Sequence, residues 1–370
     1  MTNAKHKHDP LIHITKRDDM PRWKMLLVEG GGILAALVVC GAVLALLTGQ
    51  NPIEVYVKMY EGTFGSEVKM MPSIHNVAIL LCISLAVTPA FKMKFWNIGA
   101  EGQVLMGGLA SAYFMVNYAD GSINKNLLLV LMFVCSVLVG MIWALLPAFC
   151  KAMWNTNETL FTLMMNYIAM TLVSVFIVAY DKSGRKDLGI INQFTGVGHL
   201  PKIFDDKYML NIFIVIFVLI VMTVYLRYSK QGYEISVVGE SENTARYIGI
   251  NVKKVIIRTM LISGAVCGLV GFMLVAGSQH GIRNDIVGGQ GFTAIMVSWM
   301  AKFNPIVMVF VSLLIVFLRD GGKAATTALK MDNSMGDVLT ALVIFFIIAF
   351  EFFSRYKITF RKSVKEEVKQ

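Results

Sequence analysis

Ten apolar runs recur along this chain, at roughly 25–48, 74–91, 99–118, 127–149, 158–180, 209–226, 257–277, 290–301, 304–318 and 336–353. A helix of about 20 apolar residues crosses the hydrocarbon of a bilayer and satisfies its own backbone on the way. With 56% of its residues hydrophobic and only 16% charged, the chain is expected to be an all-α polytopic membrane protein. The eighth and ninth runs are short and separated only by "KFNP", so they form either one broken helix or a tight helical hairpin. The count is therefore nine or ten transmembrane helices. No polar stretch between runs is long enough to build a core of its own. The expected organisation is a leader over 1–24, one transmembrane domain over 25–354 and a basic tail over 355–370.

Orientation follows from lysine and arginine, which concentrate in loops on the cytoplasmic side. The leader carries Lys5, Lys7, Lys16, Arg17, Arg22 and Lys24, and the tail carries Arg355, Lys357, Arg361, Lys362, Lys365 and Lys369. Both termini are expected in the cytoplasm, which requires an even number of crossings and favours ten. The basic loop from Arg227 to Arg258 then also faces the cytoplasm. The loop 181–208 disagrees, with five basic residues on the expected outer side, and its neighbours outvote it. The net charge of +10 is read as basic cytoplasmic loops and not as a nucleic-acid surface. No cleavable signal peptide is expected, because the apolar run starting at Met25 has no small-residue cleavage site behind it.

Several chemistries are missing. There is no GxxxxGK[ST] loop to cradle ATP phosphates: "GGKAATT" at 321–327 lacks the upstream glycine and has Ala324 after the lysine. No HExxH or GxSxG motif occurs, and the five cysteines form no CxxC pair, so no catalytic residue, metal site or cofactor is assigned to the chain. His6 and His8 read as a solvated leader. Glu101, Glu158 and Glu351 fall near span ends, and no ionisable group is expected at mid-membrane depth. That counts against proton or sodium coupling.

Three stretches place polar groups where they are costly. "FWNIGAEGQVLMGG", from Phe95 to Gly108, puts Asn97, Glu101 and Gln103 among glycines where an apolar run begins. A helix starting near Ala100 would direct free N–H groups inward, with Asn97 as a cap or a ligand contact and Glu101 either suiting the helix dipole or lining a path. "GGQGFTAIMVSWM", 288–300, echoes it with Gln290 before a second apolar run. Interrupted segments in corresponding halves are the mark of an inverted-repeat transporter with its path at the repeat interface, so these two are a candidate internal inverted repeat. Asn166, a lone amide inside a span, must either pair across helices or line the path. Trp96, Phe292 and Trp299 are the aromatics nearest to such a path. Gly264 and Gly268 stand at GxxxG spacing and are expected to pack helices closely.

The loop "GYEISVVGESENTARYIGINVKKVIIR", 232–258, predicts a short helix with Ser241 as N-cap, ending near Tyr247, with Gly249 closing it in a left-handed conformation. Such a peg is either an amphipathic connector or a device that transmits force from a soluble partner.

The segment "VVGESENTARYIGINVKK" resembles the coupling helix of ABC importer permeases of the branched-chain amino acid/ribose superfamily. "FWNIGAEGQVLMGGLASA", "NETLFTLMMNYIA" and "FNPIVMVFVSLLIVFLRDGG" are similar to its nucleoside-type branch, which works with lipoproteins of the basic-membrane-protein family. The resemblance covers about residues 25–355. Two departures stand out: Thr159 where many relatives carry a β-branched aliphatic residue, and a longer, more charged leader. The resemblance implies a permease subunit in a bacterial cell membrane that imports nucleosides by alternating access. It implies an ABC ATPase that binds ATP and Mg, a second and different permease chain, and an extracellular substrate-binding lipoprotein. It also implies a substrate path through Trp96, Asn97, Glu101, Gln103, Asn166, Gln290, Phe292 and Trp299. Coupling to the ATPase would fall to Gly239, Glu240, Ser241, Ala245, Arg246, Tyr247, Gly249 and Ile250. The alternatives are a self-sufficient carrier or channel for a small polar solute, an ABC importer of a sugar or a branched-chain amino acid, and, more weakly, a polytopic membrane enzyme.

Overall fold

A computed structural model of the chain describes residues 12–16, 22–120, 122–181, 185–332 and 334–360. Most of the basic leader and tail, His6 and His8 among them, lies outside the described residues. Each of the ten apolar runs is a helix or part of one: α1 (Arg22–Thr48), α3 (Glu67–Lys92), α4 (Ala100–Asn117), α5 (Lys125–Trp154), α6 (Glu158–Tyr180), α7 (Met209–Tyr228), α10 (Val252–Phe272), α11 (Gln290–Met300), α12 (Pro305–Ala328) and α13 (Ser334–Arg355). Among the described residues six helices are long and apolar enough to cross a membrane: α3, α5, α6, α7, α12, and α10 with its continuation to Gln279. That continuation, Met273–Gln279, is wound as a π-helix. The choice left open at 290–318 resolves into two helices, separated by a turn in which Lys302 and Phe303 both take positive φ. With its 11 residues, α11 reaches only about half the depth of a bilayer.

Three further helices appear in the connections: α2 (Pro52–Phe64), α8 (Lys230–Glu240) and α9 (Glu242–Tyr247). Side-chain caps explain where many of the helices start. Asn51, Asn124, Asn157, Ser229, Ser241 and Asn251 each accept a backbone N–H from the first turn of α2, α5, α6, α8, α9 and α10. A short antiparallel ribbon, unanticipated from the sequence, pairs β1 (Ile12–Lys16) with β2 (Tyr356–Phe360). It sets residues 12–16 alongside residues 356–360.

The described residues form two compact units. One holds those up to Gly65 and from Phe317 onward; the other is Ser66–Val316. In the first unit α1 packs against α13, Tyr56 donates to the Leu37 carbonyl at 2.6 Å, and Phe64 stacks on Phe317.

The second unit is built on backbone contact. Gly140 of α5 touches Gly264 and Gly268 of α10, Gly268 in turn touches the Ser136 carbonyl, and Gly271 lies against Val104 of α4. A Cβ at Gly107 would stand 2.6 Å from the Gly268 Cα. The GxxxG spacing thus holds α4, α5 and α10 together, and Ser111 and Ser136 hydrogen-bond across the same seam at 2.6 Å.

At the end of this unit remote from α9, the segment 188–200 folds over the π-helix. Leu188, Ile191 and Leu200 donate to the carbonyls of Ile282, His280 and Ala276. Two histidines meet here, with His199 stacked on His280 at 4.0 Å. Burial, the neighbouring His199 and Lys207 push His280 down to about 4, so the pair is stacked with His280 uncharged at neutral pH.

Candidate functional site

Helices α4 and α11 lack side-chain caps of their own: Gly99 and Gly289 stand at their N-cap positions. Both begin inside the second unit, where uncompensated N–H groups would be expensive. Neighbouring elements supply what is missing. Asn97 Oδ1 accepts from Gly99 N at 3.1 Å and from Gln103 Nε2 at 3.2 Å, while its Nδ2 donates to Ser263 of α10 at 3.2 Å. Asn166 of α6 works on both sides of the break. Its Oδ1 accepts from Gly102 N at 2.8 Å and its Nδ2 donates to the Ile98 carbonyl at 2.9 Å. Thr162, one turn earlier, accepts from Ile98 N.

Glu101 joins the two helix starts. It lies in the first turn of α4, is buried, and accepts Gly289 N at 2.9 Å through Oε1 and Gly291 N at 2.8 Å through Oε2. Its carboxylate is therefore the cap of α11, where the helix dipole favours negative charge. Gly291 is required at this approach, since a Cβ there would stand 2.6 Å from Glu101 N.

The candidate residues thus divide. Asn97, Glu101 and Asn166 spend their polar atoms on backbone or on other side chains of this chain, and they hold the break in shape. Gln103 and Gln290 are also buried, but each keeps an amide oxygen with no hydrogen-bond partner. Their two open acceptors belong to the first turns of the two helices that Glu101 joins. Phe292 and Trp299, seven residues apart on one face of α11, are exposed, as is Trp96 before α4. The indoles of Trp96 and Trp299 stack at 5.6 Å. No motif marks the bonds from Glu101 to α11, because its partners are backbone groups 188 and 190 residues away.

The segment 239–250 has the predicted geometry. Ser241 Oγ accepts from Thr244 N at 3.2 Å, Gly249 has φ +84°, and Ile250 N returns to the Ala245 carbonyl at 2.9 Å. Gly239, Ala245 and Ile250 face the protein, and a Cβ at Gly239 would collide with the Lys92 carbonyl at the end of α3. Glu240, Arg246, Tyr247 and Gly249 face outward, Tyr247 almost fully exposed beside the exposed Ile248. Glu234 of α8 pairs with Arg258 of α10 at 2.9 Å and anchors the segment to the bundle.

Residues 70–348 match the protein family described as the permease component of the branched-chain amino acid transport system. The chain belongs to that family. It is a membrane-spanning permease, and the segment 239–250 and the capped break both fall within the matched residues. A glucose ABC transporter permease of Haloferax volcanii is 28% identical over 94% of this chain and 93% of its own. A guanosine ABC transporter permease of Bacillus subtilis is 27% identical over 88% and 94%. A nucleoside ABC transporter permease of Lactococcus lactis is 27% identical over 83% and 86%.

Proposed function

We propose that this permease is one membrane subunit of an ATP-driven importer of nucleosides. The observation that carries the reading is the pair of open amide oxygens, Gln103 and Gln290, at two capped helix starts next to exposed aromatic rings. A nucleoside is neutral, flat and rich in hydroxyls, so amides and ring faces suit it and a free buried charge is not needed. The guanosine and nucleoside permeases among the relatives support the same substrate class. Asn97, Glu101 and Asn166 frame the site, while Gln103, Gln290, Phe292, Trp96 and Trp299 face the solute.

ATP and Mg bind to a separate ATPase, which docks on the outward face of α9 in the cytoplasm. A second permease chain closes the path, and an extracellular lipoprotein delivers the substrate. Both termini lie in the cytoplasm, as the lysine and arginine in the leader and tail favour. The chain hydrolyses nothing itself. Closure of the ATPase moves α8 and α9, and alternating access follows.

The reconstituted system is expected to accumulate a radiolabelled purine nucleoside only with ATP. Gln103→Ala and Gln290→Ala are expected to lower uptake a few-fold each, as the loss of a neutral hydrogen bond worth about 0.5–1.5 kcal/mol predicts. The glucose permease of Haloferax volcanii favours a second reading, a hexose substrate. Glucose accumulation without nucleoside accumulation would establish it, and transport by the permease alone would remove the ATPase from the scheme.

Coupling has its own test. Nothing lies within 4 Å of a Cβ built at Gly249, so Gly249→Val acts only through its left-handed backbone. That variant and Arg246→Glu are expected to reach the membrane normally, retain less ATPase on purification and lose most uptake. Unchanged ATPase retention and uptake in both would take this loop out of the interface.

A further inference from the structure

The stretch between α3 and α4 alternates like a strand: Phe95 and Asn97 point into the protein and Trp96 points out. Trp96 is 46% exposed and Trp299 is 45% exposed, an unusual amount for two tryptophans flanking a buried polar cluster. They are not scattered. The two indoles lie 5.6 Å apart and 24° from parallel, and Phe91 meets both edge-on at 5.9 and 6.3 Å. Phe303, at the turn after α11, packs against Trp299 at 5.6 Å. One partner of the stack thus belongs to the interruption before α4 and the other to the last turn of α11, so the stack bridges the two interrupted segments.

The same stretch is tied to the coupling segment. Phe95 and Met93 share one buried cluster with Ile235 and Val238 of α8, Ala245 of α9 and Val252 of α10. Lys94 Nζ reaches the Glu240 carbonyl at 3.5 Å, and Gly239 lies on the carbonyl of Lys92. Phe95, held in the coupling cluster, is the residue next to Trp96. Packed cores move as units and are not continuously deformable. A displacement of α8 and α9 therefore acts on Phe95, and through one peptide unit on the position of the Trp96 ring.

We propose that the stacked Trp96–Trp299 pair is the gate at the coupling end of the path, closed in this conformation and opened when the coupling segment pulls on Phe95. The proposal rests on the transport reading above and adds where the path is shut and what opens it. A planar base suits such a gate, since it replaces one ring face with another as it passes. Phe91 is buried against both indoles and is the support that keeps them in register.

The test uses the complete complex in proteoliposomes loaded with a radiolabelled purine nucleoside. Trp96→Ala and Trp299→Ala are expected to raise release without ATP by roughly tenfold, the upper end of what loss of one aromatic pair produces. Trp96→Phe, which keeps a ring, is expected to leak less than Trp96→Ala. Wild-type transport with no leak in either alanine variant overturns the gate, as does equal leak in the phenylalanine and alanine variants. A second arm needs no substrate. A Trp96→Cys/Trp299→Cys double variant is treated with a short bifunctional thiol reagent in the native background, whose five cysteines are buried or half-buried. Bridging is expected without nucleotide and is expected to fall when the ATPase is trapped with ATP; bridging that ignores nucleotide overturns the proposal. If nucleosides are not carried at all but bridging responds to ATP, the substrate reading fails and the gate stands.

Discussion

Gly268→Leu is expected to abolish accumulation of folded permease. Gly268 sits where α5 and α10 touch backbone to backbone. A Cβ there would overlap the Ser136 carbonyl and stand 3.1 Å from the Val137 Cα, both rigid atoms of a facing helix. No rotamer relieves that overlap, so the helices must part. Their separation also loosens α4, whose Gly107 rests on the Gly268 backbone, and lengthens the 2.6 Å bond between Ser111 and Ser136. Overpacking in a well-ordered core costs about 1–3 kcal/mol even where side chains can yield, and here backbone must yield. Association inside a bilayer relies on this close packing, because apolar surface gains nothing there from leaving water. Membrane yield and monodispersity of a fluorescent fusion in detergent report the outcome. Gly31→Ala in α1 is the control, since nothing lies within 4 Å of its Cβ. A monodisperse Gly268→Leu protein at wild-type yield would show that α5 and α10 are not packed in this way.

How far the fold could be read depended on which force set each element. Apolar length placed the ten helices, because the bilayer is a solvent with one demanding requirement. Cap chemistry marks α9, with Ser241 at its start and Gly249 just past its end. The same chemistry is present for α2 in "NP" at 51–52, where Asn51 caps a helix opened by Pro52, but that helix is too polar to register as a span. The ribbon between Ile12–Lys16 and Tyr356–Phe360 left no trace, since it follows α1 packing on α13 and that contact joins opposite ends of the sequence. At the site, residue types were legible and roles were not. Asparagine, glutamate and glutamine among glycines announced a polar break within an apolar chain. Whether each amide would face a solute or a backbone N–H depended on α6 and α11. Asn166 turned out to bind both Gly102 N and the Ile98 carbonyl, while Gln103 and Gln290 kept an open oxygen.

That division makes Glu101 the most consequential polar residue in the unit. Glu101→Ala is expected to destabilise the permease by about 3–6 kcal/mol, two charge-assisted hydrogen bonds at about 1.5–3 kcal/mol each. The loss leaves the buried Gly291 N and the half-buried Gly289 N without their acceptor, and it removes negative charge from the start of α11. Because α11 carries Gln290, Phe292 and Trp299, uptake is expected to fall with stability. Glu101→Gln separates charge from shape. The amide keeps one oxygen for one N–H and turns an NH2 group toward the other, so it is expected to fall between wild type and alanine. Glu101→Asp keeps both acceptors on a side chain one methylene shorter. It is expected to recover little, since the two bonds, at 2.9 and 2.8 Å, leave no slack for the missing reach. Thermal unfolding of the detergent-solubilised complex ranks the four proteins. An alanine variant melting within about 2 °C of wild type would mean that the start of α11 is capped by something other than this carboxylate.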